Sequence, residues 1–153
     1  MIDTINDWNK RLTVAQTGHY ITSERYILIN RFVGIPLVIS STFVSAFLFF
    51  DSTGFSDRLS ILMKLLSILV ALLASLQTLM RPTEKAEAHR SCAARYGNLK
   101  RKIEQFSAAG SAIDDWKNFS KEITIEWAGI SENAPTTPQR IRKKANSIIN
   151  NKV

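Results

Sequence analysis

Cysteine is almost absent from this chain. Cys92 stands alone among 153 residues, which excludes an internal disulfide. Histidine is nearly as rare: His19 and His89 are the only two, and neither has a cysteine or carboxylate at the spacing of a metal motif. The six glycines form no phosphate-cradling loop. No internal repeat and no strand pattern is visible. Asp114 and Asp115 stand together, but at an expected helix start, where carboxylates favour the helix dipole. With no catalytic constellation, the chain is not expected to be an enzyme, and neither a metal nor a cofactor is expected. The net charge of +7 comes from basic residues spread along expected helices, without a nucleic-acid motif, so direct nucleic-acid binding is not expected either.

What the chain does have is two long uncharged apolar runs. The first is residues 32–50. The second is residues 65–80, extended backwards by Leu59, Ile61, Leu62 and Met63 across the single charge Lys64. Each reaches the roughly 20 residues a helix needs to cross a bilayer core. Residues 51–58 between them are turn-rich and too short for a domain. Phe43, Phe47, Leu48, Phe49 and Phe50 crowd every face of the first run, and a helix apolar all round belongs in lipid or in a very large core. A chain of this length does not supply such a core.

Lys and Arg flank the runs unevenly. Lys10, Arg11, Arg25 and Arg31 precede the first; Arg81, Lys85, Arg90, Arg95, Lys100, Arg101 and Lys102 follow the second; the turn holds only Arg58. By the positive-inside rule both termini are expected in the cytoplasm and the 51–58 turn outside. The polar segment before Phe32 is too long for a signal-peptide n-region, so the first run is not read as a cleaved leader.

The polar flanks read as amphipathic helices. From Ile5 to Arg31, residues Trp8, Leu12, Ala15 and His19 recur at helical spacing, with Gly18 a local weak point. Arg81-Pro82 marks a junction at which the membrane helix either ends or bends. Beyond it, His89, Cys92, Tyr96, Leu99, Ile103 and Phe106 alternate spacings of three and four and define a heptad seam. Its expected partner is the N-terminal helix or another subunit. Cys92 on this seam is read as a packing residue, and His89 as a buried, hydrogen-bonded histidine. After a break at 109–111, an amphipathic segment from Asp114 to about Ala128 carries Trp116, Phe119, Ile123 and Trp127. Residues 131–138 read as a loop, and Thr137-Pro138 as the cap and first turn of a short basic helix bearing Ile141, Ala145 and Ile148 on one face. Its Arg140, Arg142, Lys143 and Lys144 either touch lipid headgroups or form a solvated tail.

The predicted architecture is therefore all-α: a two-helix transmembrane hairpin, with long amphipathic cytosolic helices packing as a small bundle. Its parts are residues 1–31, the hairpin 32–80, the heptad helix 81–109, and a C-terminal helical region and basic tail 110–153. Within the second span Ser67, Ala71, Ala74, Ser75 and Thr78 form a small, polar stripe with Lys64 a turn before it; the first span carries Ser41 and Ser45. Such stripes either pack helices closely or line a water-filled pore. One hairpin encloses no channel, so a pore requires a homo-oligomer.

Three segments together resemble the SLATT family, small two-span proteins of bacterial conflict and anti-phage systems. They are residues 31–36 leading into 39–42 (Ile-Ser-Ser-Thr), residues 72–78 (Leu-Leu-Ala-Ser-Leu-Gln-Thr), and the helix with His89, Ala93, Ala94, Tyr96 and Leu99 followed by Lys102-Ile-Glu. The resemblance covers about residues 15–107. It implies a membrane effector that forms a pore or perturbs the bilayer when a partner detects infection. The partner it implies is a nucleotide-second-messenger synthase or reverse transcriptase encoded nearby. The chain has no evident nucleotide-sensing domain, so either the cytosolic helices or a partner would receive the signal. The alternative is a non-conducting anchor that holds a cytosolic partner at the membrane.

Overall fold

The computed structural model describes residues 2–49, 57–109 and 113–151, and the described residues hold five helices and no strand. These are α1 (Ile2–Phe49), α2 (Asp57–Met80), α3 (Pro82–Ala108), α4 (Ile113–Glu132) and α5 (Gln139–Asn150). The turn expected at 51–58 lies outside the described residues except for Asp57 and Arg58, which open α2; Gly110 and Ser111 of the expected later break lie outside them too. The chain divides into two compact units, one of residues 1–25 and 85–153, the other of residues 26–84.

In the first unit, α1 contributes Ile5, Leu12 and His19 at steps of seven, all buried, with Trp8 and Ala15 half-buried between them. α3 presents His89, Tyr96 and Ile103 at the same step, with Ala86, Cys92, Ala93 and Leu99 also buried. The contacts run antiparallel. Ser23 Oγ donates to the Ala86 carbonyl at 2.8 Å, His19 meets His89, and Gly97 lies where an added Cβ would come within 2.5 Å of Gln16 Nε2. α4 runs back along α3: Phe106 stacks on Phe119 at 3.9 Å between centroids, Lys102 reaches Glu126 at 2.5 Å, and the Tyr96 hydroxyl meets Ser131 Oγ at 3.2 Å. Ile123 and Ile130 of α4 complete the core, and Trp8 packs between Trp116 and Trp127 at 5.6 and 6.5 Å.

Two boundaries differ from the sequence reading. α4 continues through Ser131 and Glu132 into the expected loop, because Ile130 is buried and Asn133 Nδ2 ties the last turn to the Gly129 carbonyl at 2.9 Å. Thr137 does not cap α5. Pro138 holds the N-cap position without a side-chain bond, its carbonyl receives the Ile141 and Arg142 N–H groups, and Thr137 Oγ1 is buried without a partner. The Thr137 methyl instead packs on α1. A Cβ on Gly18 would meet Thr137 Cγ2 at 3.7 Å and Ala145 Cβ at 3.9 Å, so the glycine flagged as a weak point is where α5 approaches α1.

In the second unit, Pro36 sits inside α1 without ending it, although it removes one backbone donor. Half-buried positions recur at Tyr26, Val33, Ser40 and Phe47, continuing the step of seven from His19, with Asn30, Leu37 and Val44 between them. α2 has a matching set: Leu59, Leu66, Leu73 and Met80, interleaved with Met63, Val70 and Gln77. The helix ends at Met80. Arg81 adopts φ 44°, the left-handed region, and Pro82 then begins α3 at a position where its missing N–H costs nothing.

Candidate functional site

Two places carry the side chains that the sequence singles out. The first is the α1–α3 seam. His89, Cys92, Tyr96, Leu99 and Ile103 are buried, and Phe106 is half-buried against Phe119 and Trp116. The structure adds His19, which sequence reasoning placed on α1 but did not connect to His89. Its Nδ1 lies 3.0 Å from His89 Nδ1, and its Nε2 lies 3.7 Å from Cys92 Sγ. The ring also lies 5.6 Å from that of Tyr96. Burial, and then the neighbouring His89, push the His19 pKa down to about 4. Burial lowers His89 as well and raises the Cys92 thiol against the opposing pull of Arg95. A neutral, protonated thiol beside two neutral imidazoles has no activated nucleophile. Among the described residues no group of three His, Cys, Asp or Glu is arranged to hold a metal ion.

The second place is the outer surface of the second unit. Leu79 (80% exposed), Leu72 (63%) and Leu65 (60%) project from α2, as do Ile61, Leu62, Ile68, Leu69 and Leu76, and no residue of this 24-residue helix is buried. From α1, Phe32, Ile35, Val38, Ile39 and Phe43 project likewise. Both helices are long and apolar enough to cross a membrane.

The small stripe of α2 is divided. Ser67 and Ala74 are half-buried on the face that carries Val70 and Gln77, whereas Ala71, Ser75 and Thr78 are exposed beside Leu79. The hydroxyls are spent locally: Ser67 Oγ donates to the Lys64 carbonyl, Ser75 Oγ to Ala71 and Thr78 Oγ1 to Ala74, at 2.7 to 2.9 Å. Ala74, Ser75, Thr78, Leu79 and Arg81 line an open groove of about 590 Å³. Lys64 is exposed, Ser45 is exposed, and Ser41 is half-buried with its hydroxyl on the Val38 carbonyl.

A polar contact crosses between α1 and α2 among apolar neighbours. Gln77 Nε2 donates to Asn30 Oδ1 at 3.1 Å, and a Cβ on Gly34 would lie 3.3 Å from the same nitrogen. The glycine leaves room for the amide, and the amide pair selects one alignment of the two helices, as a buried asparagine does in a coiled coil. Comparison with family models, with curated proteins and with solved structures finds no match.

Proposed function

We propose that this chain is a two-span membrane effector of a bacterial anti-phage or conflict system, a reading that joins the SLATT resemblance to the exposed apolar surface of the second unit. α1 and α2 would cross the inner membrane as a hairpin, with the polar helices on the cytoplasmic side, as the Lys/Arg asymmetry favours. On activation by a partner or a nucleotide signal, several copies would assemble and breach the bilayer. The exposed residues Ala71, Ser75 and Thr78 are the candidate lining of the pore.

The observation that carries the membrane part is the absence of any buried residue on α2. Eight large aliphatic side chains project from it, each about half exposed or more. Burying such a side chain fully is worth about 1.5–3 kcal/mol. Leaving half of each in water forgoes on the order of 10 kcal/mol, as much as the whole net stability of a typical domain. A lipid solvent removes that cost.

A second reading, the non-conducting anchor, draws support from the internal bonding of Ser67, Ser75 and Thr78, whose hydroxyls need no water-filled pore. Expression in bacteria with a potential-sensitive dye separates the two. An effector depolarises the cells, and Ser75→Leu or Thr78→Leu suppresses depolarisation while membrane insertion persists. An anchor leaves the potential intact at equal abundance. Recovery of the chain from the soluble fraction would defeat both readings.

A further inference from the structure

The only two histidines of the chain are buried against each other, one on α1 and one on α3. Nδ1 atoms 3.0 Å apart share a single proton: one ring presents an N–H and the other a lone pair. A neutral Cys92 thiol donates toward His19 Nε2, His19 Nδ1–H then donates to His89 Nδ1, and both nitrogens of His19 are satisfied. A further proton fits this chain of bonds poorly, because the thiol sulfur is only a weak acceptor. On His19 Nε2 it displaces the thiol as donor; on His89 Nδ1 it sets two N–H groups face to face.

We propose that the α1–α3 seam of the first unit is an acid-sensitive latch: protonation of the His19–His89 pair forces the two helices apart and uncovers Cys92. This regulation is independent of how the second unit meets the membrane.

The surroundings of the pair do not favour a positive charge. Cys92 and Tyr96 face it from α3, and the Tyr96 hydroxyl is engaged with Ser131 of α4. On α4, Glu126 is tied to Lys102 and Glu132 is exposed. α5 approaches at Gly18 through Thr137 and Ala145, and its charged residues, Arg140, Arg142, Lys143 and Lys144, are all basic and exposed. The charges near the pair in sequence, Glu24 and Arg25 on α1 and Lys85, Glu87, Arg90 and Arg95 on α3, are exposed to solvent as well.

The sign follows from linkage. His19 is held from its ordinary 6.5 down to about 4, so the closed seam binds fewer protons than the open one. The latch is firm above pH 6.5 and loses stability steadily as pH falls toward 4. From pH 7 to pH 5 the open fraction should rise roughly 20-fold from His19 alone.

Cys92, the sole cysteine, is the reporter. The full chain in neutral-lipid nanodiscs is labelled with a dithiodipyridine, a disulfide that the Cys92 sulfur attacks in acid and at neutrality with release of thiopyridone, and each rate is normalised to that of the denatured chain. The native rate should rise about 20-fold between pH 7 and pH 5, and the double variant His19→Gln/His89→Gln should show a flat profile. An unchanged native rate, or an equal rise in the double variant, overturns the latch. Should the double variant label at the denatured rate already at pH 7, His19→Phe decides. It keeps an aromatic ring but removes the proton site on which the 20-fold rise rests, so a smaller rise than native supports the latch and an equal one refutes it.

Discussion

The Asn30–Gln77 bond lends itself to a double-mutant cycle. In Asn30→Leu or Gln77→Leu one amide loses its partner on a half-buried face, while the double variant replaces both by apolar groups. Hydrogen bonds between helices in lipid are worth about 0.6 kcal/mol on average and up to about 1.7. The 3.1 Å bond between two neutral amides belongs near the middle of that range. We expect a coupling energy of about 1 kcal/mol, with each single variant less stable than the double. Gly34→Ala supplies a third arm. Its Cβ, 3.3 Å from Gln77 Nε2, asks the amide to give by a few tenths of an ångström, so it should weaken the bond without abolishing it. The assay follows separation of α1 from α2 in mixed micelles of rising SDS content. Pyrene labels go at Phe32→Cys and Leu79→Cys, which are 78% and 80% exposed, in a Cys92→Ser background. A coupling energy indistinguishable from zero, with the single variants as stable as the native pair, would refute the role given to the amides.

Other expectations test the first unit and the stripe. Leu99→Asp with Ile103→Asp places two carboxylates at positions with no solvent exposure, and should abolish the folded unit, read as lost protection of α3 amides in hydrogen exchange. Gly18→Ala should be neutral or stabilising by up to about 1 kcal/mol, because its Cβ meets only ordinary contacts and helix propensity improves, whereas Gly18→Leu should displace α5 and raise proteolysis at residues 133–139. Since Ser75 and Thr78 are exposed and off the α1-facing positions, Ser75→Leu and Thr78→Leu should leave the SDS midpoint of the pyrene assay within about 0.5 kcal/mol of native. A larger loss would make them packing residues.

Much of the helical order was legible in spacing. The α3 seam is a run of threes and fours, and burial follows it from His89 to Ile103 because a helix buries what its period aligns. The apolar runs were equally plain, since length and absence of charge are local properties. Features that depend on two distant segments were not. His19 and His89 are 70 residues apart, and although the seam marks His89 as buried and hydrogen-bonded, nothing in the spacing names His19 as its partner. Asn30 and Gln77, 47 apart, lie at the ends of runs where a lone amide draws no notice. A hint did exist in both cases, because His19 falls on the step of seven from Ile5 and Leu12, and Gln77 on that from Met63 and Val70. The division of the small stripe is hidden for a related reason: spacing groups Ser67 with Ala71 and Ser75, and only the position of a neighbouring helix separates the half-buried serine from the exposed pair. Thr137 was assigned a cap from residue type, and its methyl turned out to serve packing at Gly18.

The step of seven along α1 restricts how the gene can change length. Ile5, Leu12, His19, Tyr26, Val33, Ser40 and Phe47 keep one phase through 48 helical residues, and each is buried or half-buried. Losing or gaining one codon within α1 turns everything beyond it by about 100°, so only changes of about seven residues preserve both packed faces. α2 and α3 obey no such common rule. Continued past Met80, the α2 step would fall on Glu87, Ala94 and Arg101, all exposed, while the buried α3 step begins at Pro82. Arg81 is where the count restarts. Insertions and deletions within α1 among functional descendants of this chain should therefore come in steps of about seven residues, and any that survive between Asp57 and Ala108 should fall at the Arg81 joint.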